Sequence, residues 1–138
     1  MKDCLERAKA QGMRFSIENH THTMVPVTDS FLRLWDAIRD PALGCNLDCG
    51  WAMNQREYPP EAIYKLNQHL MNLHVRDIDA PMREYVAIGK GVMDFKDIAD
   101  AVKSVGFTGF LSLEQDGSQE DMKETCRRYI STMKQYLS

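Results

Sequence analysis

The sequence has no run of basic residues and little excess of charge of either sign. Its 138 residues include 17 Lys and Arg against 20 Asp and Glu, which gives a formal net charge of −3 at pH 7 with both signs interspersed. A surface that follows a phosphate backbone needs Lys and Arg clustered on one face. We therefore expect no nucleic-acid partner.

Cysteines are also few, and the chain has only Cys4, Cys45, Cys49 and Cys126. They show neither the close pairing of a zinc knuckle nor the density of a secreted, disulfide-stabilised domain. No apolar stretch that would resemble a secretion signal follows the charged first residues. These absences predict a reduced, cytoplasmic protein.

Long hydrophobic runs are missing as well. The apolar stretches are a few residues long, whereas a helix needs about 20 apolar residues to cross a bilayer. The sequence therefore predicts no membrane partner. With 43% hydrophobic residues, a chain of 138 residues can form one core but not two, and we expect a single domain over residues 1–138.

What the sequence does contain is a repeated tripeptide, in which a small polar residue precedes Ile or Leu and then a residue of a metal-binding type. The four copies are Ser16-Ile17-Glu18, Asn46-Leu47-Asp48, Asn72-Leu73-His74 and Ser112-Leu113-Glu114. Side chains alternate between the faces of a strand, so the first and third residues of each copy share one face. The pattern predicts four strands in phase, each with a carboxylate or an imidazole at its end.

The opposite face of these strands is apolar. It is predicted to carry Phe15, Ile17, Cys45, Leu47, Met71, Leu73, Val75, Leu111 and Leu113. Such a face needs a helical layer to cover it.

Helical segments alternate with the four strands. The predicted strands are 14–18, 43–48, 70–75 and 110–114, and the predicted helices are 2–11, one capped by Thr28, one opening at Pro59-Pro60, one between Asp94 and Gly106, and one that starts in Ser118-Gln119-Glu120-Asp121. Strict alternation of four strands and five helices predicts an α/β fold with a parallel sheet.

The polar ligand face distinguishes between two parallel architectures. A doubly wound sheet has helices on both faces and nearly continuous apolar strands. A (β/α)₈ barrel has helices outside only and its functional groups at the carboxyl ends of the strands. The pattern favours the barrel, but such barrels take roughly 250 residues, so four βα units predict half of one.

Five motifs in order carry a family resemblance. They are Ile17-Glu18-Asn19-His20, Asn46-Leu47-Asp48-Cys49-Gly50, His74-Val75-Arg76-Asp77, Gly89-Lys90-Gly91-Val92-Met93-Asp94-Phe95 and Leu113-Glu114. At these residues the chain resembles the last four βα units of the xylose isomerase-like sugar-phosphate isomerase/epimerase superfamily. The resemblance implies the C-terminal half of a TIM barrel.

The resemblance also implies a metal site and a reaction. Glu18, Asp48, His74 and Glu114 would bind one divalent ion, and Glu18 and Glu114 would also move protons. Three carboxylates and one imidazole suit Mn²⁺ or Mg²⁺ best, with Co²⁺ or Zn²⁺ as alternatives. The implied function is a metal-dependent sugar or sugar-acid isomerase or epimerase that acts through an enediolate, with a small sugar as its partner.

One position departs from the family pattern. Where many members have a His three residues after the Asp of the second motif, this chain has Trp51. In the trinuclear endonuclease branch that His binds a second metal, and in ketose epimerases it contacts the substrate. Trp51 therefore argues against a three-zinc phosphodiesterase, and Arg83 is the candidate for the substrate-binding Arg of the epimerases.

Four further residues are candidates for contacts with the substrate or with the metal ligands: His20, Trp51, Arg76 and Asp77. His20 shares the face of Glu18, although a loop position is the alternative. Trp51 stacks on the substrate or shields the mouth of the site. Asp77 holds His74 or Arg76 in place, or is a loop carboxylate.

Two other functions stay open at this point. One is a metal-dependent hydrolase or lyase on the same scaffold, and the other is a catalytically inactive half-barrel that associates with a partner. Four strands that do not close leave two unpaired edges. We therefore expect a homodimer or a completing N-terminal half-barrel.

Overall fold

A computed structural model describes residues 1–80, 84–115 and 121–138, in which helices separate the strands of the main sheet. The helices are α1 (Lys2–Ala10), α2 (Thr28–Ile38), α3 (Cys49–Asn54), α4 (Pro59–Leu66), a 3₁₀ turn (Asn67–His69), α5 (Phe95–Ser104) and α6 (Met122–Leu137). The strands are β1 (Phe15–Glu18), β2 (Leu43–Asp48), β3 (Leu70–Val75), β4 (Asp77–Ile78), β5 (Tyr85–Val86) and β6 (Phe110–Leu113).

The main sheet has the order β1-β2-β3-β6, and every neighbouring pair is parallel. Each long strand therefore lies beside the one before it, as in a (β/α)₈ barrel and unlike a doubly wound sheet, in which the order reverses. The predicted α/β fold, a partial TIM barrel built from βα units, is confirmed. The short strands β4 and β5 form a separate antiparallel pair after β3.

The predicted number of helices was one too low, because α3 was not foreseen. This helix has only six residues and includes Gly50, so it shows no helical repeat of apolar residues. It begins directly at the end of β2, where the Asp48 side chain accepts a hydrogen bond from the Trp51 N–H at 2.7 Å. Strands β4 and β5 were missed for the same reason, since each has two residues.

Side chains cap three of the described helices, at Asp48, Asp94 and Asp121. Asp94 caps α5 as predicted, with Oδ1 accepting from the Asp97 N–H at 2.9 Å. The cap predicted at Thr28 was wrong by one residue: Val27 is the N-cap of α2, and the Thr28 N–H donates to Oε2 of Glu57. Of the predicted start of α6, Ser118 to Glu120 lie outside the described residues.

The core lies between the apolar face of the sheet and the helices. Ile17 packs against the core, while Cys45, Leu47, Leu73 and Val75 are buried in it. Tyr129 of α6 lies over β6, and its hydroxyl donates to the Leu111 carbonyl at 2.8 Å. Among the described residues, no helix is long and apolar enough to cross a membrane.

Met71 does not lie on the apolar face, contrary to the sequence pattern. The register between β2 and β3 shifts there, so that Leu70 pairs with Cys45 and Asn72 with Asn46. A bulge of this kind turns a side chain to the other face. Met71 consequently packs on Gly44, where an added Cβ would lie 2.4 Å from Met71 Cγ, and Leu70 takes the buried position.

Candidate metal centre

The four predicted ligands come together at the carboxyl ends of the four parallel strands. Glu18 ends β1, Asp48 ends β2, His74 lies one residue before the end of β3, and Glu114 directly follows β6. One ligand atom from each lies within 4.8 Å of those of the other three. This convergence follows from strands that are in phase and parallel, because their ends meet at one edge of the sheet.

His74 lies among the three carboxylates. Its Nδ1 is 2.7 Å from Oε2 of Glu114, 3.1 Å from Oε1 of Glu18 and 3.9 Å from Oδ2 of Asp48. The side-chain amide nitrogen of Asn46 lies 3.1 Å from Nε2 and 3.4 Å from Nδ1 of the same ring. Asn46 thus contacts the imidazole whose Nδ1 faces the carboxylates.

Three of the four small polar residues of the tripeptides, Asn46, Asn72 and Ser112, form a row across the inner face of the sheet. The side-chain amide of Asn72 donates to Oδ1 of Asn46 at 3.0 Å. The Ser112 hydroxyl lies 3.5 Å from Oδ1 of Asn72. The row ends at the imidazole of His74. The repeated polar residues therefore contact one of the predicted metal ligands.

Asn19 is a supporting residue to which the sequence argument gave no role. It is 1% exposed. Its side-chain Oδ1 accepts from the Asp48 N–H at 2.7 Å, and its Nδ2 donates to the Asp48 carbonyl at 3.1 Å. The amide thus continues the pairing of β1 with β2 beyond the last residue of β1 and fixes the backbone of one ligand. Its place next to Glu18 in the first motif was the available clue.

Arg76 bridges two of the ligands. Its Nε donates to Oδ2 of Asp48 at 2.6 Å, and its Nη2 donates to Oε1 of Glu114. Burial lowers the pKa of the guanidinium, but the two carboxylates outweigh burial and the net shift is upward. Burial also raises the pKa of the Asp48 carboxyl, against the opposing effects of the Trp51 N–H and Arg76.

An aromatic group lies over this ion pair. The rings of Trp51 and His20 have centroids 4.2 Å apart, and Trp51 meets Tyr85 edge-on at 5.6 Å. The structure thus places Trp51 beside Arg76, with His20 against the Trp51 ring. Tyr85, on the unforeseen strand β5, was missed because nothing in its local sequence marks it.

Asp77 hydrogen-bonds to the backbone of a loop, which is one of the two roles that the sequence left open for it. Its Oδ1 accepts from the N–H groups of Ile78 and Met93, and its Oδ2 accepts from those of Gly89 and Gly91, all at 2.9–3.0 Å. These hydrogen bonds anchor the segment that leads into α5. Arg83, the fifth candidate for a substrate contact, lies outside the described residues.

The residues present fit a divalent cation. Glu114 Oε2 is buried and has no hydrogen-bond donor among the described residues, although the nitrogen of His74 is close. A buried carboxylate oxygen without a donor is costly and is stabilised by a cation at that place. The donor set of three carboxylates and one imidazole is of the kind that Mg²⁺ and Mn²⁺ accept.

Comparison with known proteins agrees with the fold. Residues 1–133 match the family model of the xylose isomerase-like TIM barrel. The chain belongs to this family. Its structure superposes on that of a probable 3-DHS dehydratase from Bacillus anthracis with a TM-score of 0.82, at 19% identity over 96% of this chain and 53% of the other.

Two further relatives show how much of a family member the chain represents. An uncharacterized protein of Methanocaldococcus jannaschii is 24% identical over 100% of this chain and 50% of its own length. A D-allulose 3-epimerase from Methylomonas sp. superposes with a TM-score of 0.81, at 15% identity over 96% of this chain and 52% of the other. The chain therefore spans about half the length of the relatives that it matches.

Proposed function

We propose that this chain carries the metal-binding half of a sugar isomerase or epimerase that moves a proton next to a carbonyl group. The observation that carries the proposal is the convergence of Glu18, Asp48, His74 and Glu114 within 4.8 Å. The similarity to a D-allulose 3-epimerase supports the same class of substrate. The substrate is a small sugar or sugar acid with a hydroxyl group beside its carbonyl.

Glu18, Asp48, His74 and Glu114 would hold one Mn²⁺ or Mg²⁺, with Co²⁺ or Zn²⁺ as substitutes. A divalent ion held there would polarise the carbonyl of a hydroxy-carbonyl substrate and so make the neighbouring C–H bond more acidic.

Glu18 and Glu114 would do the proton chemistry. They stand on the two outer strands of the sheet and are each about one third exposed, so they can reach a substrate from two sides. One carboxylate removes the proton and leaves an enediolate, and one returns it. Return to the opposite face gives an epimer, whereas return to the neighbouring carbon gives an isomer.

Asp48 and His74 have a different part. Asp48 is fully buried and its backbone is fixed by Asn19. His74 is held by Asn46. These two side chains are therefore constrained as ligands, whereas Glu18 and Glu114 remain partly exposed and so accessible to a substrate.

The test has a binding arm and a chemical arm. Mn²⁺ should bind at about one equivalent and raise the melting temperature, because it binds the folded state preferentially. Asp48→Asn should abolish this effect. Glu124→Gln, which changes a carboxylate that is 62% exposed, is the matched control and should keep it. An unchanged melting temperature of the wild type with all four ions would refute the metal site.

In the chemical arm, ketoses are incubated with the protein in D₂O. Deuterium should appear on the carbon next to the carbonyl, and Glu114→Gln should slow its appearance by a factor of about 10²–10⁴. Unchanged exchange in this variant would exclude Glu114 from the mechanism. Loss of water from the substrate would instead indicate dehydratase chemistry, as the name of the Bacillus anthracis protein describes for that enzyme.

The proposal includes a partner half. Within the described residues, β1 and β6 each pair on one side only. We propose that a second copy of the chain, or an N-terminal half-barrel, closes the sheet. Metal binding without any exchange in the closed assembly would favour the alternative of an inactive half-barrel.

A further inference from the structure

Arg76 is a permanent charge that the fold has buried inside the ligand set. The residue is 4% exposed. It directly follows β3 and donates to Asp48 of β2 on one side and to Glu114 of β6 on the other. One guanidinium thus joins ligands from the two strands that flank its own. Burying such a charge costs several kcal/mol unless it is well paired, so this position requires both carboxylates.

Besides its hydrogen bonds to the two carboxylates, the guanidinium contacts two aromatic rings. Its central carbon is 4.6 Å from the ring centroid of Tyr85 and 5.6 Å from that of Trp51. Gly50 lies beneath this contact, and a Cβ added there would come within 2.8 Å of Tyr85 Cε1 and 3.0 Å of Arg76 Cδ. The absence of a side chain at Gly50 therefore allows arginine and tyrosine to approach this closely.

We propose that Arg76 is the fixed cation of the metal centre. It is a positioning residue, which holds Asp48 and Glu114 at their ligand positions. Its positive charge also reduces the negative charge of the ligand set to two, which a divalent cation neutralises. The proposal rests on the metal site put forward above. It makes Arg76, together with Gly50 and Tyr85, part of what determines which ions the site accepts.

The net charge of the ligand set follows from its residue types. Three carboxylates converge within 4.8 Å and repel one another strongly where water is excluded. Arg76 compensates one of them, and His74 must be neutral to bind a metal. The remaining two negative charges match Mn²⁺ or Mg²⁺, whereas a trivalent ion would leave a net positive charge at the site.

The positioning role is tested with Arg76→Lys. Lysine keeps the charge but has a compact ammonium group in place of the planar guanidinium. It therefore cannot donate to both carboxylates and also contact the ring of Tyr85 as arginine does. Isothermal titration should show Mn²⁺ binding weakened by about 10–100-fold, the range typical when a residue that supports metal ligands is changed. Binding as tight as in the wild type would overturn the positioning role.

The charge role is tested by comparing Arg76→Gln with Arg76→Lys, since these variants differ in the charge at one position. Tb³⁺ and Mn²⁺ are titrated into each. The affinity ratio of Tb³⁺ to Mn²⁺ should be at least about 10-fold higher in Arg76→Gln, because its ligand set keeps all three negative charges. A loss of packing alone would weaken both ions together, and an equal ratio in the two variants would overturn the charge role.

Two further variants guard against misfolding and general charge effects. Gly50→Ala retains every charge but presses on Arg76 and Tyr85, and it should weaken Mn²⁺ as Arg76→Lys does without raising the Tb³⁺ ratio. Arg39→Gln removes a charge that is 74% exposed and should leave both affinities unchanged. If Gly50→Ala keeps wild-type affinity, the fixed geometry of Arg76 is not needed and the proposal fails.

The outcomes separate this proposal from the proposed function. A wild-type protein that binds no ion overturns both. A wild-type protein that binds Mn²⁺, with variants that keep the same affinity and the same ion preference, overturns the role of Arg76 alone.

Discussion

Glu18 and Glu114 stand at the two opposite edges of the four-stranded sheet, yet their carboxylate oxygens lie within 4.8 Å of one another. Three strand spacings of about 4.8 Å would separate the edges of a flat sheet by roughly 14 Å. The two glutamate side chains therefore reach inward over the strands that lie between them. This convergence turns a row of four ligands into a cluster.

The first prediction concerns assembly. Both edges of the sheet lack a strand partner within the described residues. We expect a two-fold dimer in which β6 of each subunit lies beside β1 of the other. Sedimentation at micromolar concentration should show a species of twice 15.9 kDa or larger. A 15.9 kDa monomer with a cooperative melt would contradict this.

A proline in β1 supplies the control for assembly. The Phe15 N–H donates to the Ala42 carbonyl, so the alternating backbone directs the Ser16 N–H to the free edge. Ser16→Pro should therefore remove an edge donor and keep the pairing of β1 with β2. The variant should stay folded and shift toward the monomer, whereas an unchanged dimer would place the interface elsewhere.

The second prediction concerns Asn19. Asn19→Ala leaves the N–H and carbonyl of Asp48 without their buried partners, so the free energy of unfolding should fall by about 1–3 kcal/mol. Denaturant unfolding measures this change. Mn²⁺ affinity should fall as well, because Asp48 loses its support. Gln135→Ala, in an exposed position of α6, should change neither quantity, and an Asn19→Ala protein of wild-type stability would refute the role of Asn19.

The third prediction concerns the loop that Asp77 holds. Asp77→Ala removes the acceptor of four backbone N–H groups. The free energy of unfolding should fall by about 1–3 kcal/mol, and limited proteolysis should cut faster near Gly89 and Gly91. Asp36→Ala removes a carboxylate that is 68% exposed and serves as the charge control. Equal rates of cleavage in both variants would show that Asp77 does not organise this segment.

The fourth prediction uses the two tryptophans. The backbone N–H of Trp51 donates to Asp48, and the Trp51 ring lies 5.6 Å from the central carbon of the Arg76 guanidinium. Trp35 is instead tilted against His69, with ring centroids 4.3 Å apart. In Trp35→Phe, the remaining Trp51 fluorescence should change as Mn²⁺ is added. In Trp51→Phe, the same titration should leave the fluorescence of Trp35 constant. A response from Trp35 alone would place the ion outside the proposed centre.

Local sequence patterns were enough to predict the main elements. Strands β2 and β3 have the expected bounds and helix α4 begins at the expected proline, because alternation of side chains and the helix-starting prolines act within a few residues. The same alternation placed Glu18, Asp48, His74 and Glu114 on one face. The polar face of the strands favoured a barrel over a doubly wound sheet, and the family resemblance implied the same architecture.

Features that depend on contacts between distant segments could not be predicted in this way. The bulge at Met71 reflects how β3 fits against β2, and the two-residue strand that carries Tyr85 is too short to leave a pattern. Asn19 reaches Asp48 across 29 positions, and Arg76 reaches Glu114 across 38.

The sequence by itself determined which residue types stand at the ends of the strands, because a strand's alternation is fixed by its own backbone. Only the tertiary structure decided which partners hold those side chains. Asp77 anchors a loop, Arg76 joins two ligands, and Trp51 lies over the arginine. The physical reason is that such contacts depend on the curl and register of the whole sheet, which are set by the packing of segments far apart in the chain.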